Sequence, residues 1–190
     1  FMSFKTDYRR YIYFNDYLSF AARFSGGVSV GPNPHLYYLG GTENWINRTF
    51  RNSELPFENP EDYALSEFIM PLRGTMVNEI SGTKFFLTNF ELRFPLFRAL
   101  VAGPVPILFQ HILGAFFFDM GGAWSGNFAD FKSTRLDDNG KVVPNNLLMS
   151  TGVGIRTILL GIPVKLDIAW ENLYHTWSMP QYMFSLGLDF

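Results

Sequence analysis

Apolar and polar residues alternate along most of this chain with a period of two. The pattern is sharpest over residues 85–94, where Asn89, Glu91 and Arg93 hold odd positions and Phe86, Thr88, Phe90, Leu92 and Phe94 hold even ones. A period of two sends successive side chains to opposite faces, so the stretch predicts a β-strand with one polar and one apolar face. A sandwich strand of a soluble protein would alternate in the same way. The apolar face here is unusually aromatic, however, and similar strands recur to the last residue. That combination points to a sheet whose oily side is turned toward lipid.

Taken in order, residues 3–14 alternate Lys5, Asp7 and Arg9 with Phe4, Thr6 and Tyr8. Arg10 falls on the apolar side, which is tolerable where a long side chain snorkels to a membrane interface. Asn15-Asp16 is a two-residue turn signal, after which Leu18, Phe20, Ala22, Phe24, Val28 and Val30 oppose Ser19, Arg23, Ser25 and Ser29; the two stretches predict a hairpin. Gly31-Pro32-Asn33-Pro34 ends it, and a short Leu36-Tyr37-Tyr38-Leu39 run leads to Gly40-Gly41. Residues 41–72 sustain no period, and loops of that length are uncommon unless they are functional or disordered.

Beyond residues 85–94 come a turn at Pro104 and Pro106 and a strand over 109–119. Its alternation sends Leu108, Ile112, Phe116 and Phe118 toward lipid, with His111 and Asp119 opposite. Residues 121–145 form a second long polar loop. The strand over 148–159 sets Thr151, Val153, Ile155, Thr157 and Leu159 against Ser150, Gly152, Gly154 and Arg156. A tight turn at Gly161-Ile162-Pro163 leads into Val164, Leu166, Ile168 and Trp170 against Lys165, Asp167 and Glu171. The last strand alternates Tyr182, Phe184, Leu186, Leu188 and Phe190 with Gln181, Ser185, Gly187 and Asp189.

The count is about seven strands, with short turns alternating with long loops as in outer-membrane barrels, whose short turns are periplasmic and long loops extracellular. An odd number would leave bare backbone polar groups at a sheet edge in hydrocarbon, which is costly. The expected fold is therefore all-β: the C-terminal seven or so strands of a larger transmembrane antiparallel β-barrel, with residues 1–190 forming part of one barrel domain.

Composition sharpens this picture. Aromatic residues make up 18% of the chain, with 21 Phe, while charged residues reach only 17%. Mean hydropathy is +0.04. The mixture is too polar for a helical membrane bundle and too aromatic for an ordinary soluble domain. The apolar window 97–118 is long enough for a helix, but Pro104 and Pro106 favour a strand preceded by a turn. Net charge is −2 and the basic residues are dispersed, so nucleic acid is not an expected partner. Absence of cysteine excludes disulfides and thiolate metal sites. No basic, apolar and small-residue leader pattern opens the sequence, which reads as a mature or partial product.

Candidate chemistry is sparse. Asp137-Asp138-Asn139-Gly140 offers oxygen ligands but lacks the distant Glu of a calcium loop, and reads as a solvated turn. His35, His111 and His175 are too widely separated for a metal motif. Gly152-Val153-Gly154 is followed by no helix pattern, as a dinucleotide site would require. No catalytic residue, metal or cofactor is expected. Trp170 and Tyr182 fall near strand ends, where an aromatic girdle meets headgroups, and Trp45 is left to the loop.

A set of short motifs remains: Gly40-Gly41; Leu72-Arg73-Gly74; Asn89-Phe90-Glu91-Leu92-Arg93-Phe94-Pro95; Phe118-Asp119-Met120-Gly121-Gly122-Ala123-Trp124; Thr151-Gly152-Val153-Gly154-Ile155-Arg156; and the terminal Phe184-Ser185-Leu186-Gly187-Leu188-Asp189-Phe190. In this order they resemble the barrel of BamA-type outer-membrane assembly factors (the bacterial surface antigen superfamily) and the related two-partner secretion transporters, over nearly the whole chain. The resemblance implies a complete barrel of about sixteen strands, seated in the outer membrane of a diderm bacterium against bilayer and lipopolysaccharide. It implies insertion or translocation of outer-membrane or secreted polypeptides, with polypeptide clients or envelope-complex subunits as partners. The alternative is a structural anchor or interaction barrel for a periplasmic domain or a larger envelope or secretion complex, without insertion activity.

The resemblance also implies that the loop 42–81 folds back into the lumen. Arg73, between Leu72 and Gly74, would dock there on Glu91 and Asp119. The alternation independently puts both carboxylates on the polar face, and the planar donor fork of guanidinium suits them in a way lysine does not. Gly74 would let the loop turn sharply against the wall. Tyr182, Phe184, Leu186, Leu188 and Phe190 look like the C-terminal signal by which such barrels are recognised for insertion. Thr75 stands where the family usually carries an aromatic residue, and residues 42–71 are longer than in the assembly factor itself. The tract Tyr37-Tyr38-Leu39-Gly40-Gly41-Thr42-Glu43-Asn44-Trp45 is closer to relatives whose barrel follows a TolB-like propeller.

Overall fold

The structure, a computed structural model, describes residues 1–15, 17–49, 64–102 and 107–187, with side chains described outside 98–102 and 107–111. The strands in chain order are β1 (Met2–Asn15), β2 (Leu18–Val30), β3 (Leu36–Leu39), β4 (Ser66–Ile69), β5 (Ile80–Gly82), β6 (Lys84–Ala102), β7 (Ile107–Trp124), β8 (Thr134–Leu136), β9 (Val142–Pro144), β10 (Leu147–Leu159), β11 (Ile162–Glu171) and β12 (Gln181–Leu186). Seven of them make one open sheet in the order β1-β2-β6-β7-β10-β11-β12, every neighbouring pair antiparallel. No described helix is long and apolar enough to cross a membrane, whereas β1, β2, β6, β7, β10 and β11 each reach the roughly 9–11 residues a crossing strand needs.

Local chemistry explains the ends of the wall strands. At the β1–β2 turn the Tyr17 N–H donates to the Asn15 side-chain oxygen at 2.8 Å, so the side chain stands in for a backbone acceptor. Between β10 and β11 the turn falls on Leu160 and Gly161, with φ of 51° and 83°, the positive pair that a tight hairpin demands. Ile162 and Pro163 are thus already in β11, paired with Leu159 and Ile158, rather than in the turn as the sequence suggested. The expected turn residues Asp16, Pro104 and Pro106 lie outside the described residues.

β6 and β7 run well past the expected boundaries. Pro95 cannot donate to a ladder, and the β6–β7 register slips between Pro95 and Phe97, letting the strand continue instead of stopping. Ile112, expected to face lipid, is buried next to this slip, where β7 also changes register against β10. Farther up β7 the alternation holds, with Phe116 and Phe118 exposed on the outer face and Phe117 and Asp119 buried on the other.

The inner face is not uniformly polar. The long connection between β2 and β6 contains a small sheet, β4-β3-β5, with β3 parallel to β4 and antiparallel to β5. Its Tyr37, Leu39 and Ile69, with Leu72, pack against Phe85, Leu87, Ala123 and Leu148 of the wall. The Tyr37 and Phe85 rings lie 4.6 Å apart. Each large side chain so buried contributes about 1.5–3 kcal/mol relative to exposure, which fixes the connection to the wall before any charge is considered. The connection from β7 to β10 is shorter than expected, because β7 runs to Trp124, and it carries the β8–β9 hairpin.

Candidate functional site

The small sheet delivers residues 70–76 to the centre of the wall. Leu72 donates its N–H to Gly41 O at 2.8 Å while its side chain is fully buried in the apolar cluster. Thr75, also fully buried, donates its hydroxyl to Leu72 O at 2.7 Å and accepts the Gly41 N–H at 3.2 Å. Its position is small and polar because the hydroxyl closes this turn. Asn89 of β6 donates its amide to both Pro71 O and Asp119 Oδ1, each at 2.8 Å. The backbone is therefore clamped on both sides of Arg73.

Arg73 is buried and uses its whole donor fork. Its Nε and Nη2 donate to the two oxygens of Asp119 at 2.7 and 2.8 Å, and its backbone N–H donates to Asp119 Oδ2 at 3.0 Å. Nη1 donates to Glu91 Oε2. The guanidinium carbon lies 3.8 Å from the centre of the Phe117 ring, whose face attracts a cation. Burial opposes the charge on Arg73, yet Asp119 and Glu91 outweigh it and raise its pKa well above the ordinary arginine value.

The structure thus brings Arg73, Glu91 and Asp119 together, and it adds partners that sequence reasoning did not single out. Arg93 Nε donates to Glu91 Oε1 at 2.7 Å, and Arg156 Nη2 donates to Glu91 Oε2 at 3.1 Å. Arg156 Nη1 donates to Asp167 Oδ1 at 2.6 Å. The cluster spans β6, β7, β10 and β11, setting the guanidiniums of Arg73, Arg93 and Arg156 against the carboxylates of Glu91, Asp119 and Asp167. Charges removed from water are tolerable only when they are paired with opposite charge and hydrogen-bonded to it. Arg156 and Asp167 were legible as polar-face residues; the reach of Arg156 to Glu91 was not, since it depends on register across β7.

Gly74 follows Arg73 with φ of 81°, in the left-handed region, and a Cβ placed there would lie 2.9 Å from the Ala169 side chain and 3.3 Å from that of Ser150. Its N–H points to Met183 Sδ of β12 at 3.3 Å. Gly74→Ala is expected to cost about 1–3 kcal/mol through backbone strain and crowding, read as a lower urea midpoint at unchanged slope. Ala169→Gly should recover only part of the loss, because it relieves the contact and not the φ.

Of the terminal-strand residues, Tyr182, Phe184 and Leu186 project to the outer face, away from the cluster, with Tyr182 well exposed; Leu188 and Phe190 lie outside the described residues. Trp170 projects from the same outer face, near the long-loop end. Trp45, left to the loop by the sequence, is buried with Val77, Phe117, Ala169 and Met183. On the other flank Arg23 of β2 donates to Asp7 Oδ2 of β1 at 2.7 Å and to Met70 O at 2.6 Å, so the connection is held by the first hairpin as well.

No group of three metal-ligating side chains occurs among the described residues. In the β8–β9 turn Asp137 Oδ1 accepts the N–H groups of Asn139 and Lys141 at 2.9 and 2.8 Å, which commits that carboxylate to the turn itself. What the buried cluster can do is mechanical: it fastens one loop to four consecutive strands. A family model described as the Omp85 superfamily domain matches residues 1–190. No curated protein and no solved structure matches the chain.

Proposed function

The chain belongs to the Omp85 superfamily, a family of outer-membrane β-barrels serving polypeptide insertion and translocation, and from that premise we propose that it forms the C-terminal wall of a BamA-type barrel that helps outer-membrane or secreted polypeptides to insert or cross. The observation that supports this reading most directly is the contrast between the braced wall and its last strand. The Arg73 cluster ties β6, β7, β10 and β11 to the loop. β12, by contrast, pairs with β11 over six residues, against ten between β10 and β11, among the described residues.

Next to a rigid wall, a last strand that adds no charge to the buried cluster among the described residues can part from the first strand of the complete barrel and lend its edge to an incoming strand. The loop 42–81 would brace the lumen during that opening, with Leu72, Arg73 and Gly74 as its docking motif and Glu91 and Asp119 as the wall partners. Tyr182, Phe184, Leu186, Leu188 and Phe190 would serve the barrel's own insertion. The connection over 121–145 would face the cell exterior. No bond chemistry is needed, since the work is exchange of one strand edge for another.

The test is a disulfide between β12 and the first strand of the complete barrel in the full-length protein. Client insertion into vesicles is expected to fall sharply on oxidation and to return on reduction. Full activity with the seam locked would exclude the gate and leave an anchoring barrel.

A further inference from the structure

Among the described residues the far edge of β12 carries no sheet strand, yet its backbone is not bare. We propose that residues 44–47 form a latch in cis, a short piece of the lumen connection that holds the edge of the last strand when the first strand of the complete barrel is not paired there, and that must leave before another strand can be added. What replaces it, an incoming client strand, rests on the seam reading above; the latch itself rests on the contacts that follow.

In an antiparallel pair, alternate residues of a strand point both backbone groups to the same side. On β12 the residues pointing away from β11 are Tyr182, Phe184 and Leu186. The Ile46 N–H donates to Phe184 O at 2.8 Å, and the Leu186 N–H donates to Asn44 O at 3.4 Å. Asn47 supplies the next rung with its side chain, because a primary amide has the same donor and acceptor as a peptide unit. Its Oδ1 accepts the Phe184 N–H at 2.9 Å, and its Nδ2 donates to Tyr182 O at 2.7 Å.

The Trp45 indole N–H donates to the same Asn47 Oδ1 at 2.7 Å, which fixes the orientation of the amide. Trp45 itself is 2% exposed, seated among Val77, Phe117, Ala169 and Met183. Val77 is three residues past Gly74, and its N–H donates to Thr49 O at 3.0 Å. The latch is therefore joined directly to the segment that carries Arg73.

Two properties make this a displaceable cap rather than an eighth wall strand. It forms a single residue bridge, Trp45 opposite Ser185, whereas an incoming strand could pair along the whole of β12. Entry into it requires Asn44 at φ of 51°, so the segment does not continue as an extended strand in that direction. An added strand would have to replace a few hydrogen bonds and expel one tryptophan, then gain further rungs. The seat vacated by Trp45 would favour a strand bearing an aromatic residue on its inward face.

The experiment uses the full-length protein in vesicles. The chain has no cysteine, and Trp45 and Ser185 are a non-hydrogen-bonded antiparallel pair, with the close Cα spacing of about 4.5 Å that a disulfide accepts. Trp45→Cys with Ser185→Cys is expected to join on mild oxidation, seen as a linked peptide by mass spectrometry. A photo-crosslinkable peptide with the sequence of residues 181–190 serves as the strand probe. Its capture on β12 should fall about tenfold in the oxidised form and recover on reduction.

Asn47→Ala keeps the buried tryptophan and removes the amide rung. It should speed amide exchange at Phe184 about tenfold, leave Met183 and Ser185 unchanged, and raise probe capture. No disulfide, unchanged exchange at Phe184, or equal capture by the oxidised and reduced forms would each overturn the latch. Should the latch results hold while the seam-locked barrel still inserts clients, the gate reading fails, and residues 44–47 stand as a cap that competes for this edge with the barrel's first strand and with no client.

Discussion

Arg73→Ala is expected to destabilise the barrel by about 3–5 kcal/mol, the usual consequence of removing one partner from a buried charge pair, measured as a drop in urea midpoint in lipid vesicles. The size follows from what remains. Asp119 would keep Asn89 but lose the side-chain fork and the precise placement of the Arg73 N–H. Glu91 would keep Arg93 and Arg156, so its share of the loss is smaller. Phe117 would lose the cation stacked on its face. Arg73→Lys retains the charge and not the fork, and should recover less than half of the loss. A change under about 1 kcal/mol, with the loop still protected from protease, would mean that the wall charges satisfy one another without the loop.

Glu91→Gln is expected to cost a similar amount, about 3–5 kcal/mol, by a different route. Shape and size are kept, but Arg73, Arg93 and Arg156 would then converge on a neutral amide that also presents its own donors. Because Glu91 is fully buried, added salt should not restore the loss, as it would soften repulsion at an exposed site. The double variant with Arg73→Ala should fall short of the sum by about 1–3 kcal/mol, as expected for residues sharing one network. Strict additivity would show that Glu91 is held by Arg93 and Arg156 alone.

These two residues also mark how far the sequence could be read. Alternation placed Glu91 and Asp119 on one face because period two is a local property, and the resemblance then supplied Arg73. The same alternation put Arg156 and Asp167 on the polar face, but strand register decides which polar residues meet, and two slips set it: one beside Pro95 and one beside Arg156. Phe85, Leu87 and Phe117 are apolar residues on the polar face, a signal that something packs there. The small sheet that covers Phe85 and Leu87 was not legible. β4 and β5 are four and three residues long, too short for alternation to rise above chance, and the parallel pairing of β3 with β4 joins residues far apart in the chain, which no local pattern announces. The wall strands themselves were legible because each repeats its alternation many times.

The order of these pieces along the chain has a kinetic consequence. Arg73 precedes all of its partners, lying 18 residues before Glu91 and 46 before Asp119, and Glu91 is completed only when Arg156 of β10 arrives. During synthesis the arginine therefore emerges before any group that its side chain binds, and it can seat only after β6 and β7 have supplied Glu91 and Asp119. Interactions that form after the transition state weigh on the unfolding rate and leave the folding rate nearly untouched. The buried cluster is thus expected to act as a late-closing catch, governing how long the assembled wall lasts more than how quickly it forms.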